Sequence, residues 1–319
     1  MDITKLLHLL SDGEFHSGSE LGMALGVSRT SVWKSLPLLE KLSILTETVK
    51  GKGYRVPGGL DLLDRQKILT SVISFVPSSD FDIDILLSHE STNNYLIDLV
   101  KKKELSKYHI CLAERQLGGR GRRGRAWVSP FAKNIYLSLG FTLEVGVEQL
   151  SGLSLVIGIA VAQTLEALGV KDIGLKWPND VYIEGRKIAG ILVELTGEAT
   201  TVWNVVCGIG LNVSMTRKEG ESIDQDWASL EDYVQCGRNE VAAELIKQLI
   251  DVVNEFRIAP FEHFMSRWAR YDVLLGEDVR VMPGEMYGKV VGVNKLGALL
   301  IDNGEVNEVN AGEVSVRRV

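Results

Sequence analysis

The chain has 319 residues, of which 45% are hydrophobic and 24% charged, and a formal net charge of −7. Two or three domains fit that length, and the composition is that of an ordinary soluble protein; no basic-then-apolar opening suggests a secretory signal, and the most apolar run, Leu153 to Ala162, is too short to cross a bilayer. Cys111, Cys207 and Cys236 lack metal-ligand spacing and the histidines form no H-x-x-H set, so a reducing cytoplasm is expected and a structural zinc site is not.

Ile3, Leu6, Leu7, Leu9 and Leu10 give the apolar face of a first helix. Gly18 to Leu25 reads as a second helix, with Ser17 or Ser19 placed to cap it. Gly26-Val27-Ser28 is a turn, and Ser28 can cap a third helix running to about Leu42. Helix, glycine-bearing turn and helix are the signature of a helix-turn-helix. Pro37 lacks the amide that would bond to the Trp33 carbonyl, so the third helix is expected to bend or end early. Ile44 to Val49 and Gly53 to Val56, joined by Lys50-Gly51-Lys52, predict a hairpin with a basic tip, the wing of a winged helix. Gly18, Ser28, Arg29, Thr30, Ser31, Lys34, Lys50 and Lys52 are the candidate DNA contacts. Hydroxyls and cations at a helix start suit phosphates and base edges. This segment is slightly positive on an acidic chain, which matters because phosphate neutralisation dominates DNA affinity. A winged helix used for protein contact is the competing reading.

From about Leu62 to Leu274, strand-like and helix-like runs alternate. Ile83 to Leu87 reads as a strand, and His89 to Asn94 leads into a helix through Lys103. Ser91, Thr92 and Asn93 at that helix start either cap it or turn their polar groups to a ligand. His109 to Glu114 is another strand, followed by Gly119-Arg120-Gly121-Arg122-Arg123-Gly124-Arg125-Ala126-Trp127. Glycines let a backbone wrap closely on a ligand, arginines grip phosphate or carboxylate with two prongs, and an indole stacks on a flat heterocycle. The loop therefore reads as closing on an anionic, nucleotide-like ligand; a solvated basic loop or an RNA-binding tract are the alternatives. Gly119, Gly121 and Gly124 also satisfy G-x-G-x-x-G, but Trp127-Val128-Ser129-Pro130 and a strand-like run from Asn134 to Thr142 follow, not the helix a dinucleotide fold requires.

Leu153 to Leu168 is a long, largely buried helix. Lys176-Trp177-Pro178-Asn179-Asp180 looks like a phosphate and Mg²⁺ site, or equally a β-bend with a solvated Asx turn. Gly185-Arg186-Lys187 is a hairpin tip or strand start, and Ile188 to Leu195 continues as a strand. Lys187 sits where that strand begins, so it either points into a pocket or snorkels. Val205 to Val213 is a further strand. From about Gly276, Val279 to Met282, Gly288 to Val293, Ala298 to Asp302, Val306 to Val309 and Val314 to Arg317 read as short strands of a small barrel, with turns at Pro283-Gly284 and Asn303-Gly304.

The run Gly119 to Trp127, Ser91-Thr92-Asn93, Lys176 to Asp180 and Arg186 to Glu194 together resemble the biotin protein ligases, and the winged helix ahead of them resembles the bifunctional kind that also represses biotin genes. The resemblance covers nearly the full length. It implies a winged helix-turn-helix at 1–60, a mixed-sheet α/β ligase domain of class II synthetase type at 61–275 and an SH3-like barrel at 276–319. It implies biotinyl-5′-adenylate formation from biotin and Mg²⁺-ATP, with no permanently bound cofactor and no protein-held metal, then transfer to a lysine of a biotin carboxyl carrier protein. By the same resemblance Ser91, Thr92, Asn93, Gln116, Arg120, Gly121, Arg122 and Lys187 meet biotin; Arg122, Arg125, Trp127, Lys176, Asn179 and Asp180 meet ATP or the adenylate; and Lys187 and Arg122 act in catalysis. Operator DNA, a homodimer formed when adenylate is bound, and a cytoplasmic setting without membrane attachment complete the expectation. A biotin-responsive repressor with little ligase activity, or a lipoate-type ligase, is the alternative.

Overall fold

The computed structural model describes residues 2–75, 77, 80–196, 202–284, 286–312 and 314–319. Helices α1 (Ile3–Leu10), α2 (Gly18–Leu25) and α3 (Arg29–Lys41) and the hairpin β1 (Glu47–Val49) and β2 (Gly53–Arg55) form the N-terminal unit. Each helix start is fixed locally. Asp2 accepts from Thr4 and Lys5 amides, Ser17 and Glu20 form a reciprocal capping box, and Ser28 accepts from the Ser31 amide. Gly26 ends α2 in the left-handed conformation at φ 65°, a position that favours glycine.

Pro37 does not end α3, which runs through to Lys41. Val32, Leu36 and Leu39 stay buried on both sides of the proline, so apolar burial holds the helix where one backbone bond is lost. The first wing strand is shorter than the run Ile44 to Val49 suggests, because Ile44 turns into the core and Leu45 lies exposed. This core of Leu6, Leu7, Leu10, Leu21, Val32, Leu39 and Tyr54 continues into Leu62, Phe131 and Ala132. The N-terminal unit is therefore packed on the segment that follows the arginine-glycine loop, and Arg115 Nη1 adds a bond to the Lys41 carbonyl at 3.1 Å.

After α4 (Arg65–Val72), the central domain is built from β3 (Phe81–Leu86), α5 (Thr92–Lys102), β4 (Tyr108–Ala113), β5 (Ile135–Glu144), α6 (Leu153–Ala167), β6 (Ile173–Lys176), β7 (Asp180–Ile183), β8 (Arg186–Thr196), β9 (Val202–Leu211), α7 (Arg238–Ile258) and α8 (Met265–Tyr271). The seven strands lie in the order β3-β4-β5-β9-β8-β7-β6; β3 and β4 are parallel and the other pairs antiparallel. Side-chain alternation separates the two faces. Cys111 and Val206 pack with Leu96 of α5, whereas their neighbours Ile110, Leu112, Val205 and Cys207 join the large core with α6 and α7. The helical stretch Val147–Ala167 is long and apolar enough to cross a bilayer, longer than the apolar run in the sequence suggests. Its packing is that of a core helix, since α6 is buried along most of its length.

Strands β10 (Asp278–Met282), β11 (Tyr287–Val293), β12 (Leu299–Asp302), β13 (Val306–Val309) and β14 (Ser315–Arg318) form a C-terminal antiparallel sheet, ordered β13-β12-β11-β10-β14. Its buried residues Val279, Val290, Leu299 and Ile301 share one core with the central domain. Trp177 Nε1 donates to the Gly297 carbonyl at 3.0 Å, which ties this sheet to the Lys176–Asp180 bend.

Candidate functional site

On the α5 face of the sheet, β8 and β9 present glycines. Gly190 is paired with Gly210, and Leu192 with Gly208. A Cβ at Gly210 would lie 2.3 Å from Trp127 Cε2, and one at Gly208 2.3 Å from Asn93 Oδ1. The missing side chains thus create a flat floor on which an indole and an amide rest directly on backbone. Above it opens a cavity of about 880 Å³, lined at one end by Ser91, Thr92, Asn93 and Gln116 and at the other by Lys176, Asn179, Asp180 and Lys187.

The start of α5 does more than cap a helix. Ser91 is the capping residue but makes no side-chain cap bond. Thr92 donates from its amide and hydroxyl to Gln116 Oε1 at 3.0 and 3.2 Å. Ser138 Oγ lies 2.7 Å from Thr92 Oγ1 and 2.5 Å from Asn93 Oδ1, and Asn93 Nδ2 donates to Glu194 Oε2 at 2.7 Å. Buried polar groups that satisfy one another in this way hold a fixed orientation. Ser138 and Glu194 belong to no polar motif; their only mark in the sequence is a serine within the apolar strand Ile135 to Phe141 and an acid near the end of another strand.

The arginine-glycine loop is folded back on itself. Gly121 N donates to the Arg125 carbonyl at 2.7 Å and Trp127 N to the Gly119 carbonyl at 2.9 Å. Arg120 reaches Asn94 Oδ1 at 2.6 Å, with Glu194 Oε1 3.8 Å away. Arg122 donates to Asn179 Oδ1 at 3.2 Å, to the Gly312 carbonyl at 2.6 Å, and to the carbonyl of Ala311. Burial pulls its guanidinium below the ordinary arginine range, and Asp180 opposes that. Arg125 lines the same cavity. It also faces a second hollow of about 340 Å³ with Arg123, Ser315 and Arg317, so cations from the loop and the C-terminal sheet meet.

The bend between β6 and β7 brings in Lys176, Asn179 and Asp180, and the β7–β8 hairpin brings in Lys187. Lys187 Nζ is 2.7 Å from Asp180 Oδ1 and 5.6 Å from the Trp127 ring centre. The contact to Asp180 lacks hydrogen-bond alignment, which leaves that buried oxygen without a hydrogen-bond partner. Lys176 lies over Tyr182 at 5.5 Å, and burial lowers its amine below the usual lysine range. A strap that carries no sequence motif closes the side: Lys187 N donates to the Asp226 carbonyl at 3.0 Å, and Ser222 to Trp227 line the cavity. Among the described residues, no three His, Cys, Asp or Glu side chains are grouped to hold a metal. All the residues that the motifs assign to biotin and adenylate therefore border one cavity.

The candidate DNA contacts lie elsewhere, on α3 and the wing. Arg29, Thr30, Lys34, Lys50 and Lys52 are exposed. Ser28 and Ser31 are engaged with each other at 2.9 Å. Gly18 is buried, and a Cβ there would come within 3.0 Å of Arg29 Cγ, so it serves as a spacer beneath the arginine.

The model of the biotin/lipoate A/B protein ligase family matches residues 86–212, and a helix-turn-helix domain model matches residues 3–55. The bifunctional ligase/repressor BirA of Escherichia coli (strain K12) is 40% identical over 98% of this chain and 96% of its own. That of Bacillus subtilis (strain 168) is 29% identical over 94% of each. Among solved structures, the biotin protein ligase from Aquifex aeolicus in complex with biotin and ATP superposes with a TM-score of 0.64 at 30% identity, over 75% of this chain and 99% of that one. A cavity built on a glycine floor, a helix-turn-helix ahead of it and this near full-length likeness agree: the chain belongs to the family of bifunctional biotin ligase/repressors.

Proposed function

We propose that this chain joins biotin to ATP and then to a carrier protein, and that in its adenylate-loaded form it represses biotin genes. The convergence of Arg120, Arg122, Lys176 and Lys187 from three separate segments on one cavity supports this reading most strongly. A biotin carboxylate oxygen attacks the α-phosphorus of ATP, the bond to the β-phosphate oxygen breaks, and pyrophosphate leaves. Two anions must approach, so fixed cations lower the barrier by neutralising charge that builds at phosphorus. In the second step a carrier lysine amine attacks the acyl carbon, AMP departs with the bonding pair, and the amine loses a proton.

Ser91, Thr92, Asn93 and Gln116 hold the ureido ring end; Lys187, between that end and Asp180, meets the carboxylate and then the phosphate. Trp127 packs beside the adenylate, and Arg122 restrains it from leaving. Arg125, Asn179, Asp180 and Lys176 face the nucleotide, with Arg123 and Arg317 near the path of its phosphates. Magnesium suits this site as a partner of ATP: Asp180, which would have to share its Lys187-paired carboxylate, and Asp224 and Asp226 of the strap are hard oxygen ligands lining the cavity, and phosphates would supply the rest. Bound there, the ion would neutralise phosphate charge.

The C-terminal sheet is the SH3-like module of this architecture and closes the nucleotide side through Arg122. Loaded protein forms a homodimer that presents two winged helices to a two-fold operator. The setting is cytoplasmic. Pyrophosphate release with Mg²⁺-ATP, without carrier, tests the chemistry: biotin gives a burst of about one turnover per protein, and lipoate none. A burst with lipoate alone would move the chain to the lipoate ligases, and silence with both would leave a repressor without ligase activity.

A further inference from the structure

Helix α3 buries Val32, Ser35, Leu36 and Leu39 and turns its other face to water. That face carries Arg29, Thr30, Trp33, Lys34 and Pro37, all exposed and spaced at helical intervals, so they form one stripe. Trp33 stands at its centre and is 61% exposed. One exposed aromatic is ordinary by itself, but here the indole and the Pro37 ring lie together inside a cationic frame, and amphipathic aromatics are enriched where a surface meets a partner. The charges around it identify the partner. Arg29, one turn before Trp33, and Lys34, next to it, share its exposed face of the helix, and Lys50 and Lys52 are exposed at the wing tip. The single carboxylate of α3, Glu40, lies in its last turn. A cationic frame around an apolar centre complements a DNA major groove, which has phosphates at its rim and one apolar feature inside, the C5-methyl group of thymine.

We infer that Trp33, with the Pro37 ring one turn further on, reads thymine methyl groups, so that the operator half-sites of this chain carry thymine under the middle of α3. The inference rests on the DNA-binding reading of the winged helix and adds the base feature that it recognises. The indole offers one N–H at its edge and a wide apolar face, and it is that face, continued by the Pro37 ring, that matches a methyl group. Hydrogen bonds to neighbouring base edges fall to Arg29 and Thr30.

Full-length protein with biotin and Mg²⁺-ATP is used to select duplexes from a pool with a randomised centre. Affinity for the selected duplex is then measured at fixed salt, with each thymine replaced in turn by deoxyuracil, which removes only the methyl group. One uracil position per half-site should weaken wild-type binding about tenfold, the scale of one mismatched pair. Trp33→Ala should lose a similar factor on the thymine duplex and become indifferent to uracil at that position. Lys50→Ala and Lys52→Ala should weaken thymine and uracil duplexes alike and flatten the salt dependence. Pyrophosphate release by Trp33→Ala should match wild type and confirm folding, since the side chain lies outside the core. If a sequence is selected but uracil costs wild type and Trp33→Ala the same, or costs neither anything, the role of Trp33 is overturned and DNA binding stands. If no sequence is enriched, both fall. If Trp33→Ala loses self-association and keeps uracil discrimination, the stripe is a protein contact and the inference is overturned.

Discussion

Lys187 Nζ lies 2.7 Å from Asp180 Oδ1, yet the two are not aligned as a hydrogen bond, and the lysine reaches over the Trp127 ring at 5.6 Å. The amine is thus held in the cavity by its ion pair with Asp180 and by the indole face. A carboxylate or phosphate entering there meets that charge. Replacing Lys187 by Met should slow biotin-dependent pyrophosphate release by about 10²–10³-fold, the range for loss of one preorganised charge donor. Far-UV circular dichroism should stay unchanged. Near wild-type turnover would remove Lys187 from the chemistry.

Gly210 illustrates a site made by an absent side chain. Its added Cβ would sit 2.3 Å from the Trp127 ring, which rests on backbone. Gly210→Ala should therefore displace the indole and raise the KM for biotin and ATP, with kcat/KM down by about 10²-fold, since a displacement near 1 Å at a positioning group has that cost. Intrinsic fluorescence should shift as the ring becomes wetter. Unchanged KM values would mean that the indole does not touch either substrate.

Much of this site is written in contiguous motifs. Ser91-Thr92-Asn93, Gly119 to Trp127 and Lys176 to Asp180 each carry residue types whose chemistry is readable before any fold is known. What supports them is not. Ser138 and Glu194 meet Asn93 only because β5, β9 and β8 pair in this register, and the strap at Ser222 to Trp227 has no composition that marks it. The 21-residue helix α7 is also poorly marked in the sequence, although Val241, Leu245, Leu249, Val252 and Phe256 recur on one buried face. Gly237 starts it without a side-chain cap, so the usual entry signal is absent. Pro37 is the opposite case, a local breaker that counts for less than an apolar face anchored on both sides of it.

Beneath the site, Glu114 and Arg238 are paired at 2.7 Å with both side chains almost wholly buried. Glu114 Oε1 also accepts from the Leu63 amide, and Arg238 holds the carbonyls of Asp61 and Asn134. The pair thus pins the connection between the winged helix and the sheet two residues before Gln116. Arg238→Met leaves a buried carboxylate unpaired and should cost about 3–5 kcal/mol of stability by urea unfolding. Adding Glu114→Gln removes that charge and retains an acceptor for Leu63, so the double variant should recover part of the loss. A single variant as stable as wild type would refute the structural role.

Lys176 bears on stability through its burial and is proposed to face the nucleotide. Burial, the larger influence, lowers its amine below the ordinary 10.5, against the attraction of Asp180. Between the folded value and 10.5 the unfolded chain binds more protons, so stability rises with pH across that window, and the penalty of burying the charge is full below it. Lys176→Met keeps the stem and removes the charge. It should therefore raise Tm at pH 7, and the gain should shrink as pH climbs through the window towards 10.5. The same change should raise the KM for ATP more than that for biotin, since Lys176 lines the end of the cavity opposite Ser91 and Gln116. Calorimetry across that pH range, beside ATP saturation curves, separates the two effects. A lower Tm at pH 7 would mean that Asp180 needs this cation more than burial disfavours it, and an unchanged ATP KM would place the phosphates elsewhere in the cavity.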